Sequence, residues 1–468
     1  MNDLVYWEVC EKNKRYPMDR NIVAISTAIG NGGISIIRMS GKSVAKIADK
    51  VFFVKDIRPS QFEPRKMYLG AFRWGDIQDK CMCVYFKAPY SYTGEDIIEF
   101  HCHGGVTLTN KIFECLVEAG CEPAGKGEFS KLAFLNGKVT LDEAEGIIDM
   151  INAESESELK AGYNLMQGGL RKKVEVLQDT LTELLAKIEV TLDYPEEDLE
   201  EETRENILAT LAAVKIELED ILSTASYGKC IKDGVRVLIY GKTNAGKSSL
   251  LNSLLDYDRA IVTDIKGTTR DTLEETFVYK GFKFVLIDSA GIRESSDVVE
   301  SIGINKAKSE LKTADIVLYI VDGSVALDCD DKDIIKSLKD NNTILIVNKS
   351  DLGKVVTDED LPFEKRVEIS TLTGKNIDIL KEMMLEFVTD KNVNNNSVVL
   401  TNTRHIKAIK DALNTANNSI VSVSDYMVNL DLVSIDIKNI WLSLGDITGN
   451  SDNEKIIDDI FSKFCVGK

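Results

Sequence analysis

The sequence predicts a multidomain α/β and α protein with three parts. These are an α+β domain near the N-terminus, a helical domain split in two along the chain, and a phosphate-binding module of parallel sheet and helices inserted between the halves. Three observations carry this. A glycine-rich string with phosphate-loop spacing stands between a strand-like and a helix-like run at 235–255. Strand-like and helical stretches alternate from 229 to 390, which implies a parallel sheet wrapped by helices. Helical apolar periodicity resumes on both sides of that stretch.

At 468 residues the chain has room for several domains, each with its own core. No stretch approaches the roughly 18 apolar residues of a membrane-spanning helix, so no membrane partner is expected. Residues 1–17 mix charges and aromatics and lack the apolar centre of a secretion signal; they read as an extension ahead of a domain at 18–137. Nine cysteines without a pairing pattern suit a reducing cytoplasm, the expected location. The net charge of −19 argues against a broad electrostatic grip on nucleic acid. Any RNA contact should be local, led by shape, or carried by a partner.

In the first domain, strand-like runs fall at 22–25, 34–37, 67–72, 81–87 and 97–100, with helical patterns at 43–51 and 107–119. Gly30-Asn-Gly-Gly33 reads as a hairpin turn rather than a ligand cradle. His101-Cys-His103 invites a metal reading. The ligand set is incomplete, no second pair stands at zinc-finger spacing, and the remaining histidine is the distant His405. A strand ending in a glycine turn is favoured, and Cys81 and Cys83 read as core thiols.

From Leu141 the period becomes helical. Leu170, Val174, Leu177, Leu181, Leu184, Ile188 and Leu192 give one apolar stripe over six turns, which Tyr194-Pro195 breaks. The acidic run 196–205 reads as a solvated connection, and Leu211, Val214, Leu218 and Ile221 begin another helix. These make the first helical part, 138–228. An Asn-rich linker at 392–396 precedes stripes at Ile406, Ile409 and Leu413, then Ile437, Ile440 and Leu444, then Ile457, Ile460 and Phe464, giving the second part, 391–468. Insertion of the 229–390 module requires neighbouring entry and exit points, which compact modules offer.

Within the module, Gly241-Lys-Thr-Asn-Ala-Gly-Lys-Ser248 has the GxxxxGK[ST] spacing. Its glycines let successive N–H groups turn inward onto phosphate oxygens. Asn244, Ala245, Gly246 and Ser249 are candidate phosphate contacts; Lys247 would reach the β- and γ-phosphates, and Ser248 would ligate Mg²⁺. Strands at 235–240, 283–288, 316–321, 343–347 and 367–369 would present ligands at their carboxyl ends. Asp288 ends one of them, able to hold the Mg²⁺ hydration shell, with Ser289 and Ala290 beside it and the Gly291 N–H facing the γ-phosphate. Asn348, Lys349, Ser350 and Asp351 end another. Asp351 can accept from both N1–H and N2–H₂ of guanine, an edge that adenine lacks. The Lys349 stem would cover the base, and Ser370-Thr-Leu would place a backbone N–H near its O6. The substrate is therefore GTP, not ATP.

Thr263, Asp264, Ile265, Lys266, Gly267, Thr268 and Thr269 lie where a first switch belongs, with Thr269 as the Mg²⁺ ligand that senses the γ-phosphate. Many GTPases orient the attacking water with a Gln directly after the DxxG glycine; here that position is Ile292. Hydrolysis falls to other groups, and the sequence offers Glu300, Arg270 and Arg293, each also readable as a surface charge.

These motifs resemble those of the MnmE (TrmE) family, the tRNA-modification GTPases, from residue 18 to the end of the chain. The likeness rests on Asn-Ala-Gly-Lys-Ser-Ser at 244–249, Thr-Asp-Ile-x-Gly-Thr-Thr-Arg-Asp at 263–271, and the closing Phe464-Cys-Val-Gly-Lys468. Pro89-Tyr-Ser-Tyr-Thr-Gly-Glu95-Asp, Gly127-Glu-Phe-Ser and Phe134-Leu-Asn-Gly-Lys138 resemble its N-terminal signatures. The resemblance implies a Ras-like P-loop G domain and a homodimer through a folate-binding-like N-terminal domain. It implies a heterotetramer with the FAD-dependent MnmG, and an aminomethyl or carboxymethylaminomethyl group added to C5 of the wobble uridine of certain tRNAs. By the family pattern a tetrahydrofolate derivative (5-formyl- or methylene-tetrahydrofolate) would contact Arg38, Glu95, Lys138 and Lys468. A K⁺ ion would be held by Asn244, Thr263, Ile265 and Thr268, taking the charge-neutralising task that an arginine finger has elsewhere. Glu300 matches the proposed general base, acting through water. Thr243, Lys266 and Ser289 depart from the usual Pro, small residue and Thr; none is a proposed ligand lost, although Lys266 adds charge beside the K⁺ loop. Cys465 is a candidate for chemistry near the folate. Two alternatives stand beside this: a ribosome-assembly or regulatory GTPase without a direct role in tRNA modification, and an independent folate enzyme in the N-terminal domain.

Overall fold

The computed structural model describes residues 20–194, 200–255, 274–288, 310–338, 342–357, 361–389, 398–425, 427–449 and 454–468. The chain divides into two units, one of 1–148, 165–178 and 444–468, the other of 149–164 and 179–443. Among the described residues no helix is long and apolar enough to cross a membrane.

The first unit is built on β1 (Ile22–Ile25), β2 (Ile34–Ser40), α1 (Val44–Val51), β3 (Phe52–Phe53), β4 (Met67–Trp74), β5 (Ile77–Phe86), β6 (Ile97–His103), α2 (Val106–Glu118), β7 (Glu122–Pro123) and α3 (Glu128–Leu135). The sheet order is β3-β4-β5-β6-β2-β1-β7. The glycine turn at 30–33 joins β1 and β2 as an antiparallel pair, as its composition predicts, with Ala24 opposite Arg38. On β5, Cys81, Cys83 and Tyr85 point inward while Lys80 and Met82 point out, the period-two alternation of a half-buried strand. The core gathers Phe52, Phe72 and Phe100, with the Phe100 ring centroid 5.6 Å from that of Phe52 and 5.5 Å from that of Phe72. Each fully buried ring contributes roughly 2–3 kcal/mol by apolar burial.

The end of the chain belongs to this same unit. Helix α4 (Leu141–Asn152) buries Leu141 and Ala144 in one cluster with Ile460, Phe461 and Phe464, beside Phe134. From there the tail runs back to β1. Lys126 bridges Val466, Ser26 Oγ donates to the Gly467 carbonyl at 3.0 Å, and Gly467 adopts φ +97°. A Cβ at Gly467 would lie 2.3 Å from the Ile25 carbonyl oxygen, so only glycine fits this approach.

In the second unit the helices α5 (Glu156–Met166), α6 (Gly169–Asp193), α7 (Glu200–Ser223) and α8 (Ala225–Asp233) lead into a sheet. Helices α5 and α6 begin or end in the first unit. The apolar stripe of α6 ends at Asp193, next to the expected Tyr194-Pro195 break. The acidic run is not a connection throughout. Residues 200–205 open α7, and Arg204 is buried there, its guanidinium donating to the carbonyls of Val423 (3.2 Å) and Val428 (2.7 Å). A helix with many acidic side chains is stable where its opposite face is packed, and charge counting alone misses that face.

The sheet and the helices that accompany its strands are β8 (Val235–Gly241), α9 (Lys247–Leu255), β9 (Glu274–Tyr279), β10 (Phe282–Asp288), β11 (Ile316–Asp322), α10 (Cys329–Ser337), β12 (Thr343–Asn348), β13 (Arg366–Glu368) and α11 (Ile377–Thr389). Its order is β13-β12-β11-β8-β10-β9. Five strands are parallel, as expected, but β9 pairs antiparallel with β10 at the edge, a strand that the alternation pattern does not reveal. Central β11 and β12 are buried along their length, which is why they read as unbroken apolar runs. After the sheet come α12 (Thr403–Ser424), packed on α7, and α13 (Leu430–Thr448), which ends in the first unit; α14 (Glu454–Ser462) belongs to the first unit. The expected linker at 392–396 and extension at 1–17 lie outside the described residues.

Candidate functional site

The carboxyl ends of β8, β11 and β12 set the phosphate loop and the base-recognition motif side by side. Gly241 closes β8 and Lys247 opens α9, whose first bond runs from the Leu250 N–H to the Gly246 carbonyl at 2.9 Å. The buried Lys247 ammonium is held over the loop by the carbonyls of Gly241 (3.0 Å) and Lys242 (2.8 Å). Asn244 turns the loop at φ +65°, and the side chains of Asn244, Ser248 and Ser249 are exposed at the free N-terminus of α9, where an anion is favoured.

Asn348 locks this loop to the next motif. Its Nδ2 donates to the Ala245 carbonyl at 3.0 Å, and its Oδ1 accepts from the Thr371 N–H at 3.2 Å. Gly246 sits at φ +105°, and a Cβ there would meet Asn348 Nδ2 at 2.2 Å, so this bond depends on a glycine in the loop. Ser370 Oγ donates to Asp351 Oδ1 at 2.6 Å, which orients the exposed carboxylate expected to read the base. Thus the structure brings Asn244, Ala245, Gly246, Lys247 and Ser248 together with Asn348, and Asp351 with Ser370.

Sequence reasoning missed two acidic partners. Asp322 ends β11 in register with Asn348, and its Oδ2 lies 2.5 Å from Lys349 Nζ, which anchors the stem expected to cover the base. Lys242 pairs with Asp328 and, at 3.0 Å, with Asp331 at the start of α10. Only the strand register reveals the first pair; the second had a faint signal in the acidic first turn of α10. A cavity of about 200 Å³ lies here, lined by Lys242, Asn244 and Asp328 among others. A larger one, about 290 Å³, sits at the opposite, amino ends of β11 and β12 and takes no part in this site.

Thr263, Asp264, Ile265, Lys266, Gly267, Thr268, Thr269, Arg270, Ser289, Ala290, Gly291 and Glu300 lie outside the described residues, as does the side chain of Asp288.

A second cluster occupies the first unit. Register places Arg38 opposite Glu99, and Arg38 Nε lies 2.7 Å from Glu99 Oε1, with the guanidinium over the rings of Tyr92 (5.8 Å) and Phe129 (5.7 Å). Lys468, carried in by the docked tail, is close enough to feel this charge. Burial, then the Arg38 guanidinium, pull its ammonium below the ordinary lysine range. Ser40 donates to Glu95 Oε2 at 3.1 Å, and Asn136 donates to the Thr93 carbonyl at 2.6 Å. Lys138 lies against Gly94, its Cε 3.3 Å from where a Cβ would stand. The loop at 91–95 thereby links Arg38, Glu95 and Lys138, while Cys465 is exposed on the tail. Glu99 was not legible as a member because cross-strand pairing supplies it, and Tyr92 and Phe129 join through the packing of the 91–95 loop and α3 against Arg38.

Burial pushes the Glu95 carboxyl above its ordinary range, against the pull of the Ser40 hydroxyl and Lys42. A carboxyl with a raised folded pKa binds its proton more tightly when folded, so stability falls as pH rises past the ordinary carboxylate value. Glu95→Gln is therefore expected to raise Tm near neutral pH, with the gain shrinking towards about pH 4. Thermal melts across that range check this; a gain constant with pH would assign it to something other than ionisation.

Family models match most of the chain. That described as "MnmE helical domain" covers residues 141–465, and "GTP-binding protein TrmE N-terminus" covers 21–138. The tRNA modification GTPase MnmE of Clostridioides difficile (strain 630) is 39% identical over 458 residues, 96% of this chain and 100% of that protein. Its counterpart from Desulforamulus reducens is 40% identical over 461 residues, again 96% and 100%. Among solved structures, Aquifex aeolicus Era bound to GDP and AlF4⁻ is 26% identical over 38% of this chain and 66% of that one, with a TM-score of 0.27. The G domain of the T. maritima FeoB iron transporter is 27% identical over 33% and 99%, with a TM-score of 0.26.

Proposed function

Because this chain belongs to the MnmE family of tRNA modification GTPases, we propose that it couples K⁺-activated, dimerisation-dependent GTP hydrolysis to modification of the tRNA wobble uridine. It is a GTP hydrolase that takes part in tRNA modification. The product is an aminomethyl or carboxymethylaminomethyl group on C5 of that base, made with the FAD-dependent partner MnmG in a heterotetramer. The chain's acidity favours tRNA contact mainly through the partner. The reaction takes place in the cytoplasm.

The observation that carries the GTPase reading is the join between loop and base motif through Asn348, with Asp351 oriented by Ser370. In this reading Ser248 and Thr269 would hold Mg²⁺, which would offset the negative charge of the phosphates. Asn244, exposed in the loop, would supply the side-chain oxygen of a K⁺ site completed by Thr263, Ile265 and Thr268. Lys247 would stabilise the β- and γ-phosphates, Glu300 would act as general base through water, and Arg270, next to Thr269 in sequence, is a further candidate.

The cluster around Arg38 suits a tetrahydrofolate derivative. A cation between two aromatic rings can receive a carboxylate or a planar ring, and Lys468 and Lys138 add positive charge. Glu95, with its raised pKa, is a carboxyl able to share a proton with a ring nitrogen. Cys465 stands on the tail that delivers Lys468. Domain bounds on this reading are 18–137 for the dimerising domain, 138–228 and 391–468 for the helical domain, and 229–390 for the G domain.

Hydrolysis measured in KCl and in NaCl at equal ionic strength tests the cation-assisted mechanism. An electrostatic group at the transition state is worth at least ~10-fold, so turnover should be about tenfold or more faster in KCl. Equal, slow turnover in both salts would contradict it.

A further inference from the structure

We propose that the first unit holds a Zn²⁺-class divalent cation between the ends of β5 and β6, ligated by Cys81 Sγ, Cys102 Sγ and a carboxylate oxygen of Asp79, with His103 orienting that carboxylate. The pairing of Met82 with His101 brings Cys81 and Cys102 together across the two strands. Ligand atoms of Asp79, Cys81 and Cys102 all lie within 4.8 Å of one another. A tetrahedral ion with bonds near 2.0–2.3 Å sets such atoms roughly 3.5–3.8 Å apart, so an inward adjustment of at most about 1 Å brings these three to bonding distance and leaves the fourth position to water. Both thiols are buried, and the Asp79 side chain is only 6% exposed.

Asp79 is also held as a metal-bound carboxylate usually is. His103 Nδ1 lies 2.6 Å from Asp79 Oδ1, and the His103 N–H donates to Oδ2 at 3.1 Å. A histidine fixing a ligating carboxylate is an outer partner that tunes such sites. The two sulfur ligands favour a borderline-soft ion such as Zn²⁺ over Mg²⁺ or Ca²⁺. On binding, each thiol gives its proton to solvent and no electron changes hands. The ion would pin the Gly104-Gly105 turn, whose Gly104 carbonyl accepts from the Gly32 N–H at 2.8 Å, and so brace the hairpin turn of β1 and β2. The sequence hid this set, because Asp79 and Cys81 come from the neighbouring strand and not from the His101-Cys-His103 run.

Titrating the full-length protein, kept reduced, with Co²⁺ tests the site. One Co²⁺ per chain should bind with thiolate-to-cobalt charge-transfer absorption that Zn²⁺ abolishes. That absorption should vanish in a C81S/C102S protein, while the exposed Cys329 and Cys465 remain in every variant. If the double variant fails to fold, Asp79→Asn and His103→Ala decide. Each should weaken Co²⁺ binding by about tenfold or more while GTP hydrolysis is unchanged. Absent absorption in the parent protein, absorption that survives the double substitution, or unchanged affinity in Asp79→Asn would overturn the proposal. A protein isolated two hydrogens light, and without cobalt absorption after reduction, would overturn it in favour of a cross-strand disulfide.

Discussion

Asp351→Asn is expected to weaken GTP binding by roughly 10³-fold and to erase the preference for guanine over adenine. Guanine offers two adjacent donors, N1–H and N2–H₂, and a carboxylate accepts from both at once. Here the carboxylate is aimed by the Ser370 hydroxyl at 2.6 Å, so its orientation is set before nucleotide arrives. An amide of the same shape puts an N–H₂ against one of those donors, leaving a desolvated polar pair without a bond. Xanthine carries an oxygen where guanine has its amino group, and that oxygen can accept from the new amide. The Asp351→Asn protein should therefore favour xanthosine triphosphate. Calorimetric titration with GTP, ATP and xanthosine triphosphate checks this; retained guanine preference would mean that another group reads the base.

Removing the Glu300 carboxyl should slow hydrolysis by about 10²–10⁴-fold, the usual worth of a positioned general base. The site has no glutamine after its DxxG glycine, and Ile292 cannot orient water, so the loss has no ready replacement. GTP affinity should stay within about twofold, because a base acting through water makes no contact with the bound nucleotide and contributes only in the transition state. Glu300→Gln, which keeps the shape and removes the basicity, should match Glu300→Ala. Single-turnover hydrolysis and nucleotide binding, measured on the same preparations, separate the roles. Parallel loss of rate and affinity would mean that Glu300 supports the fold. Lys247→Ala serves as the contrast, since its ammonium stabilises the bound phosphates and should reduce both.

Much of this architecture was readable from local pattern. The run Val235–Gly241 followed by a GxxxxGK[ST] string fixes strand, loop and helix together, because only glycines permit the phosphate loop. The stripe from Leu170 to Leu192 marks α6 because three- and four-residue steps keep one face apolar. What stayed hidden depends on contacts between distant segments. Arg204 reads as one charge in an acidic run, yet its burial comes from carbonyls more than 200 residues later. The β9 edge strand has no parallel partner and no motif, so alternation does not expose it. Arg38 was singled out by the family resemblance, but its Glu99, Tyr92 and Phe129 surroundings come from register and packing. Lys468 reaches that cluster only because Gly467 tolerates a backbone approach no other residue would.

The most direct measurement of the whole account is mass spectrometry of wobble uridines in tRNA from cells lacking this protein. The account requires loss of the C5 aminomethyl-type group, restored by the wild-type chain and not by Glu300→Ala. An unchanged wobble-base profile in the deletion strain would contradict it, and would leave a GTPase whose target is not the wobble uridine.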